Sequence, residues 1–297
     1  MKPATRRLRK LILEIVLRIL SLLPVRVRRR LRHLLEDRDA EGRGFVLHRG
    51  YRLPPRSTRE RMCGEAFRSD SFFLQSAVVE ATRFSARLGY TKSSRIVDVG
   101  CGLGRLATGM LVEFGDVQHY LGIDANKEFV RWCREHIERY HPTFRFVHLD
   151  MVNELYNPAG ILDGSELRLP VDDASADVVY LWGVFTNMVP EHVESYIGEI
   201  GRILRSGGRC FLTAFVEDDV PKVTFNPPGY VPYDCNAPLV VVRFSRQWFF
   251  SIFQQHGLQV EDFRYHQSMF PKQSEIYLAK TDTPTHRADR RRIGGNW

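Results

Sequence analysis

The stretch SRIVDVGCGLGRLA, residues 94–107, is an apolar run that ends in Asp98 and then breaks into glycine at every second position, Gly100, Gly102 and Gly104. Glycine allows a positive φ and lets a ligand come close to bare backbone. A buried strand, a glycine turn and a helical pattern are the opening of a βαβ unit, and sheets of that kind bind ligands at the carboxyl ends of their strands. The rest of the chain agrees. RIVDV, HYLGID, FRFVHLD, ADVVYLWGVF and RCFLTAF read as strands, and GRLATGMLVEF, NKEFVRWCREHIERY and PEHVESYIGEIGRILRSGG as the helices between them. SRQWFFSIFQQHG adds a helix, and LQVEDFRY and EIYLAK add two strands. The expected fold is α/β, a doubly wound, mostly parallel seven-stranded sheet with helices on both faces.

Upstream, residues 69–89 place Phe73, Ala77, Ala81, Phe84 and Leu88 at helical spacing, which predicts a helix covering the sheet near its first strand. Residues 36–60, rich in Arg, Gly and Pro, read as a linker. The connection 217–244 is Pro- and aromatic-rich and too long for a plain loop, so it reads as a lid or acceptor wall, with NPPGY as a proline turn. The organisation is therefore an arm and linker over 1–44, one domain over 45–280 and a basic tail over 281–297.

At 297 residues and 43% apolar, the chain can bury one substantial core. Cys63, Cys101, Cys133, Cys210 and Cys235 show no C-x-x-C spacing and an odd count, against both a disulfide framework and a zinc knuckle. The net charge of +8 is unevenly spread. Eleven Lys/Arg against Glu14 put ten positive charges in residues 1–33, and the tail adds two, which leaves −4 for residues 34–280. Basicity is thus an attachment, and a DNA-binding track across the domain is disfavoured. In the arm, Leu8, Ile12, Ile15, Ile19 and Leu23 fall at helical spacing, but the apolar centre is 13 residues long and holds Glu14 and Arg18. A spanning helix needs ~20 apolar residues. The arm reads as an N-terminal helical extension lying on an anionic membrane surface through residues 1–35, with Arg26, Arg28, Arg29, Arg30 and Arg32 at the headgroups. An organelle-targeting peptide also fits, as does a helix packed on its own domain or on a sister subunit in a homodimer. The expected location is cytoplasmic, at the cytoplasmic face of a membrane if the arm binds one.

A nicotinamide-type fingerprint would place its third glycine at position 105, which is Arg105. The pattern is instead D-x-G-x-G-x-G. Asp124 ends the second strand, 20 residues after Gly104, and Asp150 ends the third. Three strand-end signals in this order resemble the class I S-adenosylmethionine (SAM)-dependent methyltransferases, and SGGR before the fifth strand is similar to that family's P-G-G-R with Ser206 in place of proline. The resemblance covers about residues 65–280 and implies a Rossmann-like fold with SAM as cofactor. It also implies a cofactor site of Asp98, Gly100, Cys101, Gly102, Gly104, Asp124, Ala125, Asp150, Met151, Trp182 and Gly183. In that family the glycine turn and first acid face the methionine part, the second acid takes the ribose hydroxyls, and the third meets the adenine.

The run from ELYNP onward looks like the small-molecule branch, with FTNM where many members have F-T-H-M, so Asn187 stands in place of a frequent active-site histidine. Methyl transfer is an in-line displacement in which positioning supplies much of the rate. A base is useful for a hydroxyl acceptor, and no metal is required. Candidates on the acceptor side are Asn187, His192, Tyr233 and Asp234, with Glu217 and Asp218. The expected activity is O-methylation of a small-molecule acceptor, without nucleic acid as partner. A SAM-binding scaffold without catalysis is the alternative.

Overall fold

The computed structural model describes residues 44–153, 156–164, 167–230, 240–266 and 273–281. The basic arm of residues 1–35, the candidates Tyr233 and Asp234, and the tail from residue 282 lie outside the described residues. The chain divides into two compact units, one ending at Ser76 and one beginning at Ala77.

The first unit corrects the linker expectation for its described part. β1 (Val46–His48) pairs antiparallel with β2 (Tyr51–Leu53). Arg49 and Gly50 both take positive φ, 50° and 86°, as a two-residue hairpin turn demands. α1 (Arg56–Cys63) follows. Its Arg59 is fully buried and donates to the carbonyls of Pro54 (2.9 Å), Phe67 (3.1 Å) and Ser69 (3.2 Å), and pairs with Asp70. A guanidinium with its donors satisfied in this way ties the segments around Pro54, Phe67 and Asp70 together. α2 (Asp70–Leu88) contains the division between the units.

The second unit is built on one sheet. Its elements are β3 (Arg95–Val99), α3 (Arg105–Phe114), β4 (His119–Asp124), α4 (Lys127–Cys133) with a π-turn over Arg134–Glu138, and β5 (Phe144–His148). There follow β6 (Ala176–Leu181), a 3-10 turn Phe185–Asn187, α5 (Pro190–Ile203), β7 (Leu204–Glu217), β8 (Val223–Phe225) and β9 (Val242–Ser245). α6 (Arg246–Gln255), β10 (Leu258–Arg264) and β11 (Ser274–Lys280) complete it. The path runs β10-β11-β7-β6-β3-β4-β5. β5, β4, β3, β6 and β7 are mutually parallel, and β11 is antiparallel to both its neighbours. These are the seven expected strands. β9 pairs parallel with the end of β7, and β8 antiparallel with β9, so the connection 217–244 contributes two further short strands among the described residues.

Alternation along the strands sends side chains to two faces. Val97, Val99, Val179, Leu181, Cys210 and Leu212 join Val193, Ile197 and Ile200 of α5 and Phe249 and Phe253 of α6 in one buried cluster. The other face is aromatic: Tyr180 stacks on Phe211 at 5.0 Å, Phe211 meets Tyr277 at 5.0 Å, and Phe84 of α2 reaches Tyr180 at 6.1 Å. α2 and α3 approach backbone to side at Gly109, where a Cβ would lie 1.9 Å from the Ala77 carbonyl oxygen. At the outer edge of β5, Phe146 N–H donates to Glu138 Oε2 (3.0 Å), Arg134 Nε donates to Phe146 O (2.8 Å), and Phe144 N–H donates to His141 O (2.9 Å). Side chains and a turn thus occupy groups that an edge strand would otherwise leave exposed. The strand order reverses between β3 and β6, which opens the crevice at their carboxyl ends. Among the described residues no helix is long and apolar enough to cross a membrane.

Candidate active site

The turn after β3 is tied to β4 by its backbone. Gly100 and Cys101 N–H both donate to Ile123 O, at 2.8 and 3.1 Å, and Gly104 N–H closes the turn on Cys101 O at 2.9 Å. All three loop glycines have positive φ, but their surroundings differ. A Cβ on Gly100 would stand 2.5 Å from Val184 Cγ2, and one on Gly104 2.6 Å from Ile137 Cδ1. A Cβ on Gly102 would meet nothing within 4 Å. Gly100 and Gly104 therefore allow close packing of the protein on itself, whereas Gly102 fronts open space. That is the backbone approach a bound cofactor needs.

Asp124 ends β4 directly beside this turn. Its Oδ2 accepts from Gly102 N–H and its Oδ1 from Asn126 N–H, each at 2.7 Å. Asn126 in turn caps α4, accepting from Glu128 N–H (3.0 Å) and Phe129 N–H (3.2 Å). Two backbone donors fix the carboxylate plane and leave each oxygen a further lone pair, which suits a vicinal diol. Burial raises the Asp124 pKa, and the Asn126 and Gly102 N–H groups oppose that rise. Ala125 is held through its carbonyl, 3.0 Å from His148 Nε2. Asp150 accepts from Asn157 Nδ2 at 2.8 Å, and its own carbonyl accepts from Ile161 and Leu162 N–H at 3.1 and 3.0 Å. The β5–β6 connection thus folds back on the third acid. Met151 is buried within the main apolar cluster.

Asp98 is buried and accepts a hydrogen bond from Tyr120 OH. Burial pushes its carboxyl up to about 7, with the Asp124 charge adding to the rise and Tyr120 and Arg105 opposing it. A cation placed beside it would favour the ionised form. Gly183 takes φ +68°, donates to Thr213 Oγ1 (2.8 Å) and, like Gly102, fronts open space. Trp182 is engaged elsewhere. It stacks on Phe211 (5.9 Å, 24°), with the guanidinium carbons of Arg105 and Arg83 over its ring at 5.0 and 5.2 Å. Those arginines pair with Glu80 at 3.5 and 3.3 Å, so the indole is one wall of an ionic cluster beneath α2.

The acceptor-side candidates are not brought together. Asn187 is buried at the end of the 3-10 turn after β6. His192, in the first turn of α5, has Nε2 3.6 Å from Asp163 Oδ1, and a Cβ on Gly164 would lie 2.4 Å from its Cγ, so its ring packs on the β5–β6 connection. Glu217 lies 3.3 Å from Arg243 Nη1 and 3.6 Å from His266 Nε2, while Asp218 pairs with Arg246 at 2.7 Å. Sequence reading did not single out His266. It stands 49 positions from Glu217, and no spacing pattern connects them.

Residues 97–212 match the family model described as a methyltransferase domain. This segment contains the glycine turn, Asp124 and Asp150. Over this segment the chain is similar to the class I SAM-dependent methyltransferases. The chain is 27% identical over 140 residues to tRNA N(3)-cytidine methyltransferase METTL2 of Gallus gallus, covering 46% of this chain and 34% of that one. It is 26% identical over 140 residues to METTL2B of Homo sapiens, with the same coverage. It thus spans about a third of the length of the curated relatives it matches. In structure it is similar to the [4+2]-cyclase SpnF, with a TM-score of 0.50 at 15% identity, over 70% of this chain and 82% of that one. This likeness establishes the fold. The family's cofactor is SAM, and the open face of Gly102 beside the amide-anchored Asp124 fits its ribose and methionine portions.

Proposed function

We propose that the methyltransferase moves the methyl group of SAM onto a hydroxyl of a small-molecule acceptor. The observation that supports cofactor binding is Asp124, with both oxygens held by backbone N–H groups at the rim of an open glycine turn. Bound SAM supplies an electrophilic methyl group on a sulfonium. The protein's own residues orient it: Asp124 takes the ribose, Asp150 lies at the adenine side, and Asp98 favours the cationic methionine end. Two features support a small acceptor. The charge of residues 34–280 is −4, and the connection after β7 is Pro- and aromatic-rich and long enough to serve as a lid over the acceptor. The basic arm is read as a contact to anionic membrane, which favours an amphiphilic acceptor. A second reading, tRNA as acceptor, is favoured by the similarity to the METTL2 proteins.

Calorimetry with S-adenosylhomocysteine tests the cofactor site. Loss of two charge-assisted hydrogen bonds in Asp124→Ala is expected to weaken binding by about 10- to 100-fold. Equal affinity in the variant would overturn the site. Methyl-labelled SAM offered with hydroxylated small molecules and, separately, with tRNA decides the acceptor. Label is expected in the small-molecule fraction; label confined to tRNA overturns the acceptor class, and binding without any transfer would favour a scaffold.

A further inference from the structure

The two halves of the crevice differ in what they offer. The acids read as nucleoside-binding sit at β4 and β5, and the order reverses between β3 and β6, so β7 and β10 end on the same side of the sheet in the half of the crevice away from those acids. At the carboxyl ends of those strands the structure collects Glu217, Arg243, Tyr265 and His266, none of which the cofactor site uses.

We infer that His266, oriented by Glu217, is the base that removes the proton of the acceptor hydroxyl, an inference that rests on the hydroxyl-transfer reading above. Tyr265 stacks on the imidazole with ring centres 3.6 Å apart and planes at 20°, which fixes the ring plane. Nε2 is buried, has no hydrogen-bond partner among the described residues, and lies 3.6 Å from Glu217 Oε1, just beyond hydrogen-bond reach. Catalytic hydrogen bonds are often long before the acceptor binds; a carboxylate that closes on Nε2 selects the tautomer with its proton there and leaves the basic lone pair on Nδ1. Glu217 is itself held: Arg243 Nη1 lies 3.3 Å from its Oε2, and Arg243 Nη2 donates to Thr224 Oγ1 at 3.1 Å. Among the described residues the charged groups near the ring are Glu217 at the end of β7, Asp218 just after it and Arg243 on β9, with Asp218 taken up by Arg246 of α6. The Tyr265 phenol, raised by burial and by the two carboxylates, stays neutral. His266 also adopts φ +50°, a left-handed conformation that costs a non-glycine residue ~1 kcal/mol or more. Its N–H donates to Ser274 Oγ at 3.4 Å. Base, orienting carboxylate and a third group behind it form the arrangement by which a weak nucleophile is activated.

In the step itself the acceptor oxygen forms its bond to the methyl carbon as the carbon–sulfur bond breaks, and that electron pair stays on sulfur. The hydroxyl proton passes to His266 Nδ1, the positive imidazolium is balanced by Glu217, and the proton then leaves to water.

Two measurements on the full-length protein test this. Nitrogen-15 NMR of His266 with S-adenosylhomocysteine bound is expected to show the Nε2–H tautomer in the wild type and its loss in Glu217→Gln. An Nδ1–H tautomer in the wild type overturns the assignment. With methyl-labelled SAM and a panel of alcohols and phenols, His266→Gln is expected to lower kcat by about 10²–10⁴-fold at unchanged S-adenosylhomocysteine affinity. Added imidazole should restore part of the rate of His266→Ala, and Glu217→Asp should keep more than Glu217→Gln. If His266→Gln retains the wild-type rate on a hydroxyl, the base is wrong and hydroxyl transfer stands. Label found only on amines or tRNA removes the hydroxyl reading and the base with it.

Discussion

The Asp98 carboxyl is buried at the end of β3 with Tyr120 OH as its hydrogen-bond partner among the described residues, and its pKa near 7 is a statement about stability. An acid whose native value lies above its reference value of 3.8 holds its proton more tightly when folded. Its contribution is therefore full below pH 3.8 and is lost as pH rises to about 7. Between pH 5 and pH 8 the wild type is expected to lose about 2 kcal/mol relative to Asp98→Asn, read by urea unfolding at both values. Parallel pH profiles for the two proteins would show that the carboxyl is not held as described. Such residues differ in how far the sequence reveals them. The places of Asp124 at a strand end and of Gly102 in a positive-φ turn were legible, because strand ends and glycine spacing are local signals. The engagement of Trp182 by Arg83 and Arg105 was not, since the pattern cannot say which side of a strand end a side chain takes. The approach of His266 to Glu217 was not legible either, because only the sheet brings the ends of β7 and β10 together.

Among the elements, the contact of α2 with α3 reverses what helix propensity alone suggests. Gly109 sits inside α3, where alanine would favour the helix by about 1 kcal/mol. Yet an added Cβ would stand 1.9 Å from Ala77 O and 2.5 Å from its carbonyl carbon, both rigid backbone atoms. Gly109→Ala is expected to destabilise the protein by a net 1–3 kcal/mol or about that, lowering both the thermal and the urea midpoint. A gain in stability would mean that the two helices do not meet there. The longer elements were readable because two or more turns or alternations repeat the same apolar period. β1, β2 and β8 are three residues each, too short for any period to register. β1 and β2 exist because Arg49 and Gly50 accept positive φ, and β8 because β9 is already anchored on β7. The NPPGY segment does form a turn, with Tyr230 N–H donating to Pro227 O at 3.3 Å and Gly229 at φ +76°.

For the whole molecule the sequence already exposes the division of charge, ten positive charges in residues 1–33 against −4 over residues 34–280. If the arm meets anionic lipid, each arginine near the surface contributes about 1 kcal/mol and does so less as salt rises. The full-length protein is expected to float with phosphatidylserine vesicles at about 0.05 M salt and to be released at about 0.5 M. Replacing Arg26, Arg28, Arg29 and Arg30 by Glu should abolish flotation at either concentration. Recovery unchanged by those substitutions would remove the membrane role of the arm. At one edge of the sheet, β5 has its outward Phe144 and Phe146 amides and the Phe146 carbonyl already engaged by His141, Glu138 and Arg134. A visiting strand finds no ladder to continue at those rungs. The sheet is closed to β-augmentation on its nucleoside border, so a companion polypeptide that settles there is selected by side-chain shape and charge.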